Sequence, residues 1–311
     1  MKIKEIAIEY LEDAVDIAYK AYQEECKYVK ELYEQDYIEK IRKSIEPLFR
    51  SGKGVICLDE GNLLGYLCYD HKWESKDVIN ITVPIIGNGA IITNRSKILF
   101  LLFQHIAEKE CGGKKVHFEI KVYAHDVEAI KLLSYLQFGI QCTETIRNTN
   151  EMICTEKQNM IFELSKSEIE DRWNEIWQLY RNLVLHLQKS PIFYPGTEFT
   201  EEIYKEYIMD DATRLFIAIK NDSIIGILDA NSDGNNFITA EEDTYNIGDI
   251  FVSLEYRGYG VSQQLLQYVN DTLRNEGVNR IWVEHGTANP NARGFWDKYF
   301  NSYLFTLIRD I

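Results

Sequence analysis

The sequence predicts an α+β chain built from two copies of one domain, and three observations carry that reading. At 311 residues the chain is long for a single hydrophobic core and comfortable for two. Two hairpins recur, Gly54–Tyr69 with Glu60-Gly-Asn62 at its tip and Arg214–Asp229 with Asn221-Asp222 at its tip, each a pair of apolar runs joined by a polar turn. The interval that follows each hairpin is nearly the same, 64 positions from Gly65 to Ala129 and 66 from Gly226 to Ala292, which sets Ala124–Leu133 against Thr287–Trp296.

The elements follow in order. Lys2, Lys4 and Glu5 put charges where a signal peptide needs an uninterrupted apolar run, and Ile98–Phe103 is a helix core too short to span a bilayer, so a cytoplasmic protein without a membrane partner is expected. Apolar residues at threes and fours predict helices over Glu12–Tyr28 and Glu34–Phe49, and again over Ile169–Leu187 and Glu201–Ile208. They would cover one face of each sheet, with the helix after each glycine loop on the other. The polar run Arg147–Gln158, with Asn148, Thr149 and Asn150 together, reads as the link between domains. The expected division is therefore 1–147, a linker over 148–158, and 159–311. Asn235–Thr239 and Glu241–Asp243 read as an extended hairpin or loop before the next strand, the acidic residues as a solvated charge run.

The densest signal is Gly248–Leu266: an apolar strand, a turn carrying Arg257, Gly258 and Gly260, then a helix. Glycines admit positive φ where a Cβ would clash, and successive N–H groups ahead of a helix form a concave anion site. No Gly-Lys-Ser/Thr occurs, which excludes a Walker loop, and Gln263 stands where a dinucleotide fingerprint needs its third glycine. Downstream, the strand Asn279–His285 leads to Asn289-Pro290, an N-cap followed by proline in the first helical turn.

Arg257, Gly260 and Ser262 resemble the acetyl-coenzyme A loop of the GCN5-related N-acetyltransferases, Gln/Arg-x-x-Gly-x-Gly/Ala, with serine at the last place. Asn289, Ala292, Phe295, Trp296 and Lys298 resemble that family's second motif at the right distance. The resemblance implies two tandem domains of this type, each a mixed, mostly antiparallel sheet with helices on both faces. It implies acetyl-coenzyme A as donor, held by Ile250, Phe251 and Val252, by Arg257, Gly258, Tyr259, Gly260, Val261 and Ser262, and by Asn289 and Trp296. It also implies a free amine attacking the thioester directly, with no acyl-enzyme. Many members place a tyrosine where this chain has Trp296, an indole without useful acidity. Tyr299, or Tyr303 if the helix persists, is the substitute, with unassisted departure of the thiolate favoured.

For the base, Glu284 is the first candidate, followed by Asp249 and His285. Strand alternation turns Glu284 and His285 to opposite faces. In the first half the loop is Val83–Ala90, with Ile86 set in the place of Arg257 and Asp126 in the place of Asn289, so this copy is expected not to hold coenzyme A in the usual way. The active copy would be the second, with the first shaping the acceptor cleft. Ser190–Phe199, aromatic and stiffened by proline, reads either as acceptor lining or as a packed loop.

Charge and cysteines narrow the partners. Against 34 Lys and Arg stand 49 Asp and Glu, a net −15, which excludes a nucleic-acid partner and favours a cationic substrate. Six cysteines without Cys-x-x-Cys indicate neither a metal site nor a disulfide framework. Two functions stay open: an N-acetyltransferase for a small-molecule or peptide amine, and a non-catalytic acetyl-coenzyme A-binding or partner-binding module.

Overall fold

The computed structural model describes residues 1–33, 37–75, 77–153, 159–194 and 199–311. They form two compact units, Met1–Glu144 with Ser302–Ile311, and Thr145–Asn301. The last ten residues thus group with the first unit.

The first unit opens with β1 (Lys2–Glu5), α1 (Leu11–Cys26) and α2 (Ile38–Ser51). Residues 34–36 of the predicted second helix lie outside the described residues. Gly52, at φ +69°, ends α2 in the left-handed conformation that a helix C-terminus favours. The hairpin follows as β2 (Gly54–Asp59) and β3 (Asn62–Cys68), then β4 (His71–Ser75) and β5 (Val78–Val83). After a single 3-10 turn over Ile85–Gly87 come β6 (Asn88–Ala90), α3 (Arg95–Glu110), β7 (Lys115–Tyr123), α4 (Val127–Tyr135) and β8 (Gly139–Asn148). β1, β2, β3 and β6 pair antiparallel in that order. β5 runs parallel to β7, whose other edge is paired antiparallel by the last strand of the chain. A core of this unit runs from Val55, Cys57 and Leu67 through Leu102 and Phe103 to Phe118, Val122 and Leu133, and residues of α1 and α2, among them Tyr22, Ile41 and Ile45, are buried outside it.

The second unit holds β9 (Met160–Leu164), α5 (Lys166–Asp171), α6 (Trp173–Leu187) and α7 (Glu201–Met209). The single helix expected over Ile169–Leu187 is two: Arg172 leaves helical geometry at φ −107°, held by bonds to the Glu175 carboxylate and the Asp222 carbonyl. Then follow β10 (Thr213–Lys220), β11 (Ser223–Asn231), β12 (Thr244–Val252), α8 (Val261–Asn275), β13 (Arg280–Gly286) and α9 (Pro290–Trp296); the last strand, β14 (Asn301–Asp310), groups from Ser302 on with the first unit. β9, β10, β11 and β12 are antiparallel neighbours and β13 adds in parallel beside β12. One face of this sheet is covered by α8 and α9 around Leu265, Val269 and Trp296, the other by α5, α6 and α7 around Ile176, Tyr180 and Ile208. Helices lie on both faces, as expected.

Part of the polar run read as a linker is anchored. The Thr149 N–H donates to Asn279 O at 2.9 Å and its hydroxyl to Val278 O at 2.8 Å, while Arg147, fully buried, donates to Glu151 O. Residues 154–158 of that run lie outside the described residues. Thr239, read as part of a loop, is buried and its hydroxyl accepts the N–H groups of Asn235 and Asn236.

Two irregularities of β12 position the site. Its parallel ladder with β13 pairs Thr244–Asn246 with Arg280–Trp282 and ends there. Its antiparallel ladder with β11 slips between Leu228, opposite Ile250, and Ala230, opposite Ile247. Asp229 therefore faces two residues, Gly248 and Asp249, the geometry of a β-bulge.

Candidate functional site

A cavity of about 440 Å³ lies in the second unit where β12 parts from β13. Aromatic residues Phe199, Tyr204 and Tyr207 line one side, Asp229 and Asn231 of β11 and Gly248 and Asp249 of β12 form its floor, and Trp282 and Glu284 of β13 close it.

The bulge builds a carboxylate pair. Asp229 is fully buried at the end of the run Ile224–Leu228, and the Asp249 N–H donates to its Oδ2 at 3.2 Å. Tyr180 donates to Asp229 Oδ2 at 2.7 Å and Tyr207 to Oδ1 at 2.9 Å, while Tyr204 donates to Asp249 Oδ2 at 3.0 Å. Asn231 donates in turn to the Tyr207 hydroxyl at 2.9 Å. Gly248 makes room for this: a Cβ there would stand 1.9 Å from Asp229 Oδ1. Burial, and then the charge on Asp249, push Asp229 above the usual carboxylate range; burial raises Asp249 as well. Two like charges in one dehydrated spot favour a retained proton. Burial and the neighbouring aspartates raise the three tyrosines, so they stay donors.

Of the base candidates, Asp249 and Glu284 both reach the cavity. His285 points the other way, as alternation requires. It is buried, burial pulls its imidazole below the ordinary value, and neither ring nitrogen has a hydrogen-bond partner among the described residues. Asp229 was missed by the sequence reading, which took it as the end of a hairpin. A lone acidic residue closing the run Ile224–Leu228 was the signal, because a charge in a doubly covered strand has to be held by partners. Tyr180, Tyr204 and Tyr207 carried no such mark. Of the Ser190–Phe199 loop, Phe199 lines the cavity whereas Phe193 is exposed; Pro195–Glu198 lie outside the described residues.

The turn after β12 has the predicted backbone. Gly258 and Gly260 sit at φ +84° and +77°, and Gly260 is the N-cap of α8, whose first-turn N–H groups lack intrahelical acceptors. Arg257 crosses this turn, donating from Nε to Val252 O at 3.0 Å with its guanidinium 4.9 Å over the Phe251 ring. Ile250 and Ser262 are half-buried, Phe251, Val252 and Val261 are buried, and Tyr259 is exposed. Asn289 caps α9 as expected, accepting from Asn291 N and Ala292 N at 3.1 and 3.3 Å.

Trp296, expected among the residues that hold the donor, is 3% exposed and packs in the core against Phe300, as the last residue of a seven-residue helix. That helix ends before Tyr303, which lies instead on β14 with its hydroxyl bonded to Glu144. Tyr299 follows the helix end, half-buried, its ring 5.4 Å from that of Phe295.

The correspondence of the first-half loop is also corrected. β6 ends at Ala90 opposite Gly65 just as β12 ends at Val252 opposite Gly226, so Arg95, not Ile86, stands where Arg257 does. Ile86 lies in a buried turn and its carbonyl accepts from Tyr66. Arg95 donates to Ala90 O and forms a two-nitrogen pair with Asp126, the N-cap of α4.

Residues 173–301 match the model of the acetyltransferase (GNAT) family. N-alpha-acetyltransferase 30 of Schizosaccharomyces pombe is 25% identical over 100 residues, 32% of this chain and 65% of that protein, so the chain spans a little less than two thirds of this curated relative. Among solved structures, a GCN5-related N-acetyltransferase from Sphaerobacter thermophilus is similar with a TM-score of 0.59 at 11% identity, over 99% of this chain and 95% of that one. A GCN5-related glucosamine N-acetyltransferase region of a fungal multi-domain GH3 β-N-acetylglucosaminidase gives 0.50 at 12% identity, over 99% of this chain and 38% of that one. At such identities the likeness is one of fold.

Proposed function

Residues 173–301 belong to the acetyltransferase (GNAT) family, and from that premise we propose that the chain is an acetyl-coenzyme A-dependent N-acetyltransferase acting on a primary amine of a small molecule or peptide. The observation that carries the reading is the opening of β12 from β13, with an anion-cradling turn on one side and a carboxylate cavity on the other.

The residues fit the donor. Backbone N–H groups at the start of α8, the positive-φ glycines and the Arg257 guanidinium form a pyrophosphate seat that needs no metal. Main-chain groups of Ile250–Val252, past the end of the parallel ladder, serve the pantetheine arm and the acetyl oxygen. Such preorganised dipoles are usually the largest catalytic contribution. The donor supplies an activated thioester. The chain supplies a proton acceptor: Asp249, held by Tyr204 and raised by its surroundings, takes the ammonium proton, and Glu284 is the second candidate for that role. The nitrogen lone pair then forms the new bond to the acetyl carbon as the carbon–sulfur bond breaks. With Trp296 in the core, the sulfur leaves as thiolate, which a thiol of pKa near ~8.5 permits, and the second proton that the nitrogen sheds on becoming an amide balances the thiolate charge.

The test is calorimetry with acetyl-coenzyme A followed by a thiol-release assay over an amine panel. Binding that Arg257→Glu abolishes, with turnover on at least one amine, supports the reading. Binding without turnover on any amine favours the non-catalytic module, and binding that ignores Arg257→Glu overturns the proposed seat.

A further inference from the structure

The cavity says more about the acceptor than that it is an amine. Four carboxylates line it, Asp229, Asp233, Asp249 and Glu284, and no Lys, Arg or His is among the described residues of its wall. Asp229 and Asp249 form the inner pair at the bulge, whereas Asp233 and Glu284 are exposed at the rim. Trp282, 3% exposed, lies in the wall, and its buried indole N–H is without a hydrogen-bond partner among the described residues.

Charge balance then discriminates between acceptors. A reacting amine attacks only after giving up its proton, so at the moment of transfer it carries no charge with which to answer a carboxylate. The proton it releases goes to the inner pair, and Asp233 at the rim takes no part in that exchange. A monoamine leaves Asp233 facing an uncharged ligand, whereas a second ammonium on the same molecule answers it. The rings of Phe199, Tyr204 and Tyr207 form an apolar side for the spacer between two such groups, and a cation over an aromatic face adds to the attraction. Resting on the proposed function above, we infer that the acceptor is a small polycation bearing at least two ammonium groups, one acetylated at the inner pair and another held at the rim by Asp233.

The experiment compares butylamine, putrescine and spermidine as acceptors for the full-length chain with acetyl-coenzyme A. The expected result is a kcat/KM at least about tenfold higher for the two polyamines than for butylamine, a ratio that shrinks as salt rises. In Asp233→Asn the ratio falls about fivefold, in keeping with the loss of one partly exposed charge pair. Equal kcat/KM for butylamine and spermidine, or an unchanged ratio in Asp233→Asn, overturns the inference and leaves amine acetylation standing. If acetyl-coenzyme A binds and no amine turns over, the proposed function fails instead. Calorimetric titration with butylamine and spermidine then decides the inference by itself, since equal binding or no binding of the two overturns it and a spermidine preference sustains it.

Discussion

In both units a glycine faces the end of the neighbouring strand, Gly65 opposite Ala90 and Gly226 opposite Val252, and counting outward from these pairs shows where the units part. Three residues beyond the glycine stand Cys68 and Asp229; three before the strand end stand Gly87 and Asp249. The carboxylate pair of the second unit is thus, in the first, a buried thiol beside a glycine so crowded that a Cβ would sit 2.6 Å from the Cys68 carbonyl. Five residues past the strand end both units keep an arginine, and each arginine donates to that end carbonyl. Arg95 is then tied to Asp126, while among the described residues no carboxylate pairs with Arg257. The first unit also bridges its strands with a side chain: Asn88 Nδ2 donates to Lys121 O at 2.8 Å. On the proposed function, the same scaffold would receive the donor in the second unit and be closed to it in the first, according to whether the N-cap of the following helix is neutral Asn289 or charged Asp126.

The largest expected effect tests the carboxylate pair. Asp249→Asn keeps an acceptor for the Tyr204 hydroxyl yet cannot take a proton, so kcat/KM falls by about 10² to 10⁴. In the parent chain activity rises with pH through the raised pKa of the pair, because the base acts deprotonated. The variant loses that limb in a pH–rate profile. A larger fall in Glu284→Gln than in Asp249→Asn would return the base to Glu284.

Next comes the arginine comparison. Arg257→Glu places a like charge at the pyrophosphate seat and weakens acetyl-coenzyme A binding by at least about 100-fold. Asp126→Asn, which frees Arg95 in the first unit, leaves calorimetric stoichiometry at one and changes affinity less than about twofold, because that unit has no positive-φ glycine turn leading into α3. A second equivalent bound by Asp126→Asn would break the comparison outright.

The legible parts were those whose physics is local. A left-handed turn needs glycine, so Gly258 and Gly260 were readable; an N-cap needs a short acceptor side chain, so Asn289 was too. Alternation turned Glu284 and His285 to opposite faces before any coordinates. What stayed hidden depends on register. Ile86 was set against Arg257 by matching glycines, but Gly87 and Gly89 are there for close packing, against Cys68 O and the Tyr66 ring, and not for a turn. The bulge that joins Asp229 to Asp249 is a slip between two strands, and neither strand alone records it.

The bulge itself has a stability cost that pH exposes. Gly248→Ala drives a methyl into the Asp229 carboxylate and lowers stability by about 1 to 3 kcal/mol by overpacking, read as a lowered urea midpoint. The pair sets a sign as well. Its folded pKa lies above the unfolded one, so the unfolded chain releases its protons first and stability falls as pH rises from the ordinary carboxylate range through the raised pKa. Asp249→Asn removes the charge that helps raise Asp229, and the fall in stability over that window becomes shallower. A steeper fall would mean that the charge on Asp249 is not what raises its neighbour.

The smallest effect belongs to Tyr299. Its ring packs on Phe295 and it is half-buried just past the end of α9, with Trp296 in the core and Tyr303 bonded to Glu144 on β14. If coenzyme A leaves as its thiolate, Tyr299→Phe removes a hydroxyl that no step uses, and kcat changes by less than about tenfold, below the range of a general acid. A loss near a thousandfold would put Tyr299 in the transfer step as the acid, and the second unit would then hold a complete acid–base pair in place of a base alone.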